Sequence, residues 1–389
     1  MTDTTVKIFD SSMTGAPTLA NVAGNLLAVL DACLVDGFGL KTVDSLVVAG
    51  GLATATIATG HSARVNTVVL IAGATPPELN GEKRVLSTTT NTVVFDATGT
   101  TDQTATGTIT LKLAPAGWVK AFTGTNKVAY KSGNVAATGL HIRIDDAGTT
   151  SARAFGAEGM TDVDTYTAKF PTEAQLAGGA YIPKSNSAAA KKWWIIANDR
   201  FAYLAIAPNS ALVDAVFVMG FGDVASKKSP DNFKFAVFLK GAEVSGGTPE
   251  ASLSPAATNY SPTSNQKYLA RSYLGTGGSQ AISFRYALMS TTTGGILETS
   301  GYYSGNLSYP NAADNGLILS TPVIFEGSTY RAELPGAYFT PQMTSTLINQ
   351  DSVFEDTPVA GKKILYKQLG AGSIYAGGMF FDITGPWAN

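Results

Sequence analysis

Two histidines (His61, His141), one cysteine (Cys33) and two close acidic pairs (Asp145 with Asp146, Asp162 with Asp164) are the residues whose types and spacing could do chemistry. A Ser-His-Asp triad would have to take one of the histidines as its base. His61 follows Gly60 at a turn, and His141 opens the alternating stretch Leu140-His141-Ile142-Arg143-Ile144, so both read as packing or surface residues. Structural zinc takes four nitrogen or sulfur ligands, and the two histidines and single cysteine fall short of that number. Neither acidic pair carries the alternating ligands, central glycine and distant glutamate of an EF-hand, so turn capping is the simpler reading, with an ordered loop cation as the alternative. Retaining or inverting glycoside hydrolysis needs two acids flanking a sugar, and nothing among the 29 acids selects two.

Three further features bear on ligands. Gly275-Thr276-Gly277-Gly278-Ser279 is glycine-rich but lacks the lysine of a phosphate loop and precedes a strand, which makes it a turn. Trp193-Trp194 lies in a strong strand pattern; neighbours on a strand face opposite sides, so at most one could line a stacking platform and one is expected in the core. Tyr302, Tyr303, Tyr309 and Tyr338 ride on glycine-rich turns, and the first three are candidate ligand-facing aromatics. The expectation is therefore no catalytic residue, no metal and no cofactor.

The elements that would position these residues are strands. Hydrophobic residues make up 44% of the 389, enough for a real core, while charged residues reach only 14% against the usual ~25%. Thr, Ser, Asn and 41 glycines supply the polarity, a mixture that suits strands and tight turns and suits long amphipathic helices poorly. A net charge of −2 without a basic run gives no electrostatic footprint for nucleic acid. No apolar run approaches the ~20 residues that span a bilayer, and the first residues lack the pattern of a signal peptide. A single cysteine matches folding in a reducing cytosol.

One helix is expected: Val22, Leu26, Val29, Leu30, Cys33 and Leu34 share a face, with Asn21 as N-cap and Gly37 as stop. Val22, Leu26, Val29 and Leu30 are candidates for an assembly interface, and residues 1–41 for an anchor segment. Residues 42–114 read as a small six-stranded β-sandwich with an Asn80-Gly81 turn, ending at the Pro/Gly hinge of residues 114–117. Residues 115–265 read as a second β-sandwich domain, containing the hairpin of residues 192–206 and closing on an exposed Gly/Ser/Pro-rich loop at 241–265. Residues 266–389 read as a β-rich, aromatic-rich part, either separate or continuous with 115–265. The fold class is all-β and multidomain, built of β-sandwich or β-barrel modules.

Ser12-Met13-Thr14-Gly15-Ala16-Pro17 and the run from Leu30 to Gly39 resemble the start of virion proteins encoded by tailed bacteriophages. The stretches Gly60-His61, Ile71-Ala72-Gly73-Ala74 and Gly107-Thr108-Ile109-Thr110 are similar to a small β-module widespread in phage structural proteins. Arg143-Ile144-Asp145-Asp146, Met160 to Asp164, Trp194 to Arg200 and Phe221-Gly222-Asp223 continue the likeness, which covers roughly residues 5 to 240. The resemblance implies a non-enzymatic virion component of the tail or baseplate region, folded in the host cytoplasm. It implies other virion proteins as partners, homo-oligomers, and neither nucleic acid nor membrane insertion. A capsid decoration protein and a receptor-binding module for a host surface glycan are the alternatives, and a glycan-degrading enzyme is a third.

Overall fold

Trp193–Ala197 and Phe201–Ile206 form the expected antiparallel hairpin, with Ala197 opposite Ala202. Asn198 closes its turn, its Oδ1 accepting from the amides of Arg200 at 2.9 Å and Phe201 at 2.7 Å. The structure, a computed structural model, describes residues 2–185, 187–207, 217–240, 266–286, 309–340, 342, 352–355, 357–369 and 377–389. With 46% of residues in strands and 5% helical, the class is all-β and multidomain. The expected loop at 241–265 lies outside the described residues.

The hairpin supplies the second and third strands of a seven-stranded antiparallel sheet. Its order is Lys7–Asp10, Trp193–Ala197, Phe201–Ile206, Phe217–Asp223, Phe235–Lys240, Gln266–Leu269, Gln280–Ala281. Antiparallel sheets commonly keep one face wet, yet every residue of the second, third and fourth strands is buried. Both faces of this central sheet are covered. Trp193 and Trp194 point to opposite faces and both are buried, which corrects the expectation of a single core tryptophan.

On one face lies a sheet of Trp118–Gly124, Lys127–Ser132, His141–Asp145, Ser151–Met160 and Tyr166–Phe170, with Ala180–Pro183 also pairing Ser151–Met160. Trp118 meets Phe221 edge-on at 5.3 Å and Phe170 meets Phe235 at 5.9 Å across the gap. The opposite face carries two four-stranded sheets. One is Ala225–Ser226, Thr329–Glu333, Pro322–Glu326 and Ser283–Tyr286; the other is Ala337–Tyr338, Gly377–Asp382, Ile364–Leu369 and Ser352–Phe354. Phe381 packs on Trp194 at 5.4 Å and on Tyr203 at 5.1 Å, and the buried Tyr203 hydroxyl donates to Pro335 O at 2.8 Å. Burying each such aromatic stabilises by about 1.5–3 kcal/mol, so the central sheet is the floor for two cores.

Residues 38–113 form one continuous eight-stranded sheet curled as a half-barrel, where a six-stranded sandwich was expected. Its order is Phe38–Thr42, Thr110–Leu113, Val68–Ala72, Gly81–Thr88, Thr92–Asp96, Leu52–Thr56, Ser45–Ala49, Gln103–Thr104. Register shifts in Phe38–Thr42 and Gly81–Thr88 bend it. Leu46, Val48, Val69, Ile71, Val93 and Phe95 fill its concave side. Asn80-Gly81 is not a two-residue turn: Asn80 instead pairs its side-chain amide with Ala74 N and O, at 2.8 and 2.7 Å, and Gly81 opens a strand.

The helix is shorter than its periodicity suggests. It runs Asn25–Leu30 and continues as a wider π-helical turn over Asp31–Asp36. Gly24, in the left-handed region at φ 81°, sits where Asn21 was expected to cap. The cap comes from far along the chain: Asp146 Oδ2 accepts the amides of Leu26 at 2.8 Å and Leu27 at 3.3 Å. Carbonyls at the other end, Cys33 O and Leu34 O, accept from the amides of Ala116 and Gly117 at 2.9 and 3.0 Å. The stretch expected to be a hinge is thus tied to the helix, and apolar residues from Phe9 to Phe38 share one core with the half-barrel and the central sheet.

Candidate functional site

Leu26, Val29 and Leu30 are buried at 1% exposure or less, so the face read as an assembly interface is spent inside the protein. Only Val22, which precedes the helix, stays exposed at 52%. Tyr302 and Tyr303 lie outside the described residues. Tyr309 meets Phe354 edge-on at 6.1 Å and packs against the cluster of Leu317, Ile364, Tyr366 and Phe380. Its ring is engaged in packing.

The residues with catalytic chemistry are scattered. Cys33 is fully buried in the first core, and burial pushes its thiol well above the ordinary range. His61 Nε2 sits 2.9 and 3.1 Å from the carbonyls of Thr89 and Thr92, which places a proton on that nitrogen. Burial, with the charge of Lys131, lowers the pKa of His141, whose ring lies 5.9 Å from Phe122. The acidic pairs separate by role. Asp146 is buried against Lys184, whose ammonium also donates to Val22 O and Gly148 O at 2.8 Å each. Asp145 and Asp164 pair with Arg143 at 3.3 and 2.6 Å, and Lys127 joins Asp164 at 3.0 Å. Asp162 Oδ1 accepts the amides of Asp164 and Thr165 at 2.8 and 2.9 Å, the turn chemistry of a capping aspartate. Among the described residues no three or more His, Cys, Asp or Glu gather where a metal ion could be held.

A cavity of about 200 Å³ opens instead at the seam between the two C-terminal sheets. Glu333 ends one strand of the first sheet. Tyr338 ends, and Asp382 closes, strands of the second, while Lys362 and the segment Pro386-Trp387-Ala388 complete the wall. Asp382 is buried; its Oδ1 accepts the amides of Thr384 at 2.8 Å and Gly385 at 3.1 Å, and its Oδ2 pairs with Lys362 at 3.2 Å. Lys362 also donates to Gly385 O at 2.6 Å. The Trp387 indole donates to Asp382 O at 2.8 Å and lies flat on Gly336. Gly336 has φ 63°, and a Cβ there would come within 2.1 Å of the indole, so the residue must be glycine on two counts.

Glu333 shares one oxygen, Oε1, between Lys227 at 2.6 Å and the Tyr330 hydroxyl. Burial pushes its carboxyl up, and these two partners outweigh burial and hold it below the ordinary range. Burial first, then the charges of Asp382 and Glu333, raise the Tyr338 phenol. The site therefore carries two carboxylates each neutralised by a lysine, a protonated phenol and the edge of a largely buried indole. Its parts come from segments far apart in sequence, from Ala225 to Ala388. No local spacing could have announced it; Tyr338 alone stood out beforehand, as one of several tyrosines on glycine-rich turns. No known family model matches the chain, and no curated protein does.

Proposed function

We propose that the chain is a non-enzymatic structural component of a tailed-phage virion, in the tail or baseplate region, that works by packing against other virion proteins and copies of itself. The observation that carries this reading is the convex face of the half-barrel. Cross-strand partners Thr104, Val47, Thr54 and Val94 form one row across four strands, and Ala49, Leu52 and Asp96 form the next. Ser45, Thr56 and Thr92 complete the face on the same strands. Val47 and Leu52 are 39% and 44% exposed, and Asp96 is the only charged side chain among these ten.

A solvated sheet face alternates to polar residues; here Asp96 is the one charge among the ten, and the adjacent exposed Val47 and Leu52 are the apolar surface a partner would cover. The resemblance over residues 5 to 240 supplies the setting, a particle assembled after folding in the host cytoplasm. Mass spectrometry of purified particles tests the reading. The native chain is expected in the particle, and a Val47→Lys, Leu52→Glu double variant that still folds is expected to be missing from it. Incorporation of that variant at the native level would contradict the packing role.

A further inference from the structure

We propose that the cavity between the two C-terminal sheets binds a single neutral, hydroxyl-rich ring, one sugar unit. This inference stands apart from the virion reading and holds or falls by itself.

Size comes first. At about 200 Å³ the cavity lies below the ~300 Å³ at which sites for drug-sized ligands begin, so it has room for one ring. Its walls are set before any guest arrives. Trp387 is pinned by its hydrogen bond to Asp382 O and by contact with Gly336, and Asp382 by three partners of its own. A pre-formed site spares the guest the cost of ordering it.

Charge decides the ligand class. Lys227 neutralises Glu333 and Lys362 neutralises Asp382, so an anionic or cationic guest finds no unpaired counter-charge. What the site does offer is hydrogen bonding. Both partners of Glu333 take Oε1, leaving Oε2 as an acceptor without a hydrogen bond among the described residues. The Tyr338 hydroxyl lies within electrostatic reach of both carboxylates and bonds to neither, so it can donate to a guest and accept from it. An acceptor and a donor–acceptor complement the hydroxyl edge of a pyranose, and the largely buried Trp387 makes one wall rigid. A site that hydrogen-bonds a hydroxyl strongly rejects an analogue without it, because its own polar groups are then left unpaired.

Saturation-transfer NMR on the full chain tests the proposal, with methyl α-glucopyranoside, methyl β-galactopyranoside, methyl α-rhamnopyranoside and N-acetylglucosamine as neutral probes. Glucosamine and N-acetylneuraminic acid serve as the cationic and anionic controls. At least one neutral probe is expected to receive saturation while the controls do not. Tyr338→Phe and Glu333→Gln should each weaken that probe about tenfold, the size of one lost hydrogen bond to a charged or buried partner, with the melting temperature unchanged. Silence from all four neutral probes, transfer to a charged control alone, or binding that survives both substitutions would overturn it. A methyl glycoside binding more tightly than its reducing sugar would identify the end of a glycan as the source, and equal binding a free sugar; either upholds the site.

Discussion

The two faces of the central sheet carry regions held together in different ways. On one side, the half-barrel, the six-stranded sheet and the helix share a single apolar cluster, and the principal buried charge pair, Lys184 with Asp146, fastens the helix start to a distant loop. On the other, the two small sheets share a smaller aromatic cluster and are laced by ion pairs: Arg331 with Asp231, Lys362 with Asp382, Lys227 with Glu333. The first region buries its chemistry and leaves outside a convex face whose named side chains include one charge, Asp96. The second spends its apolar residues on the central sheet and leaves a polar cleft at its seam. The proposed packing surface lies on one side and the proposed ligand cavity on the other.

The largest expected effect breaks the first region. Asp146→Ala leaves the fully buried Lys184 ammonium without its counter-charge and frees the amides of Leu26 and Leu27. Removing one partner of a buried pair costs about 3–5 kcal/mol, and urea unfolding should show that loss. Adding Lys184→Met to Asp146→Ala should recover part of it, because the stranded charge goes with it.

Tyr203→Phe probes the other side. It removes the hydrogen bond to Pro335 O while keeping the ring between Phe381 and Trp387, and should cost about 1–2 kcal/mol. Limited proteolysis should show the loss as easier cleavage in residues 309–389, with the half-barrel as resistant as before.

Acid should act on the first region through His141. Burial, with the charge of Lys131, depresses its folded pKa below the ordinary value of 6.5, so the unfolded chain binds its proton first. The stability tied to His141 is present above pH 6.5 and is lost as pH falls through the depressed value. The difference between the native protein and His141→Phe in urea midpoint should therefore narrow or reverse between pH 7.5 and pH 5. The raised carboxyls of Asp146 and Asp223 respond in the opposite sense, their share growing as pH falls toward 3.8, which is why the comparison with the variant is needed.

The smallest effect is expected at Lys363, whose partner Glu355 lies 2.7 Å away with both side chains largely in solvent. Lys363→Ala should change stability by no more than about 0.5 kcal/mol in thermal melting. A larger loss would mean that ion pairs hold the second region more tightly than its aromatic cluster does.

The sequence made the class and the strongest hairpin legible because both rest on local pattern. Thr, Val and Gly composition points to strands, and Trp193–Ala197 and Phe201–Ile206 are short apolar runs either side of an Asn-Asp-Arg turn. It misplaced what depends on distant partners. Asn21 looked like the helix cap because nothing in residues 1–41 shows that Asp146 will take the role. Asn80-Gly81 looked like a turn because the contact of Asn80 with Ala74 is a tertiary one in a longer loop. Leu26, Val29 and Leu30 looked available for assembly because an apolar helix face reads the same whether its partner is its own core or another chain. The cavity was illegible for the same reason, since Glu333, Tyr338, Lys362, Asp382 and Trp387 meet only when two sheets dock.

Hydrogen exchange followed residue by residue tests the central claim, that one doubly covered sheet is the common floor of both regions. The amides of Trp193–Ala197, Phe201–Ile206 and Phe217–Asp223 should be the slowest in the protein and should open together, at the free energy of global unfolding. Fast exchange in these strands while the half-barrel or the C-terminal sheets stay protected would contradict it.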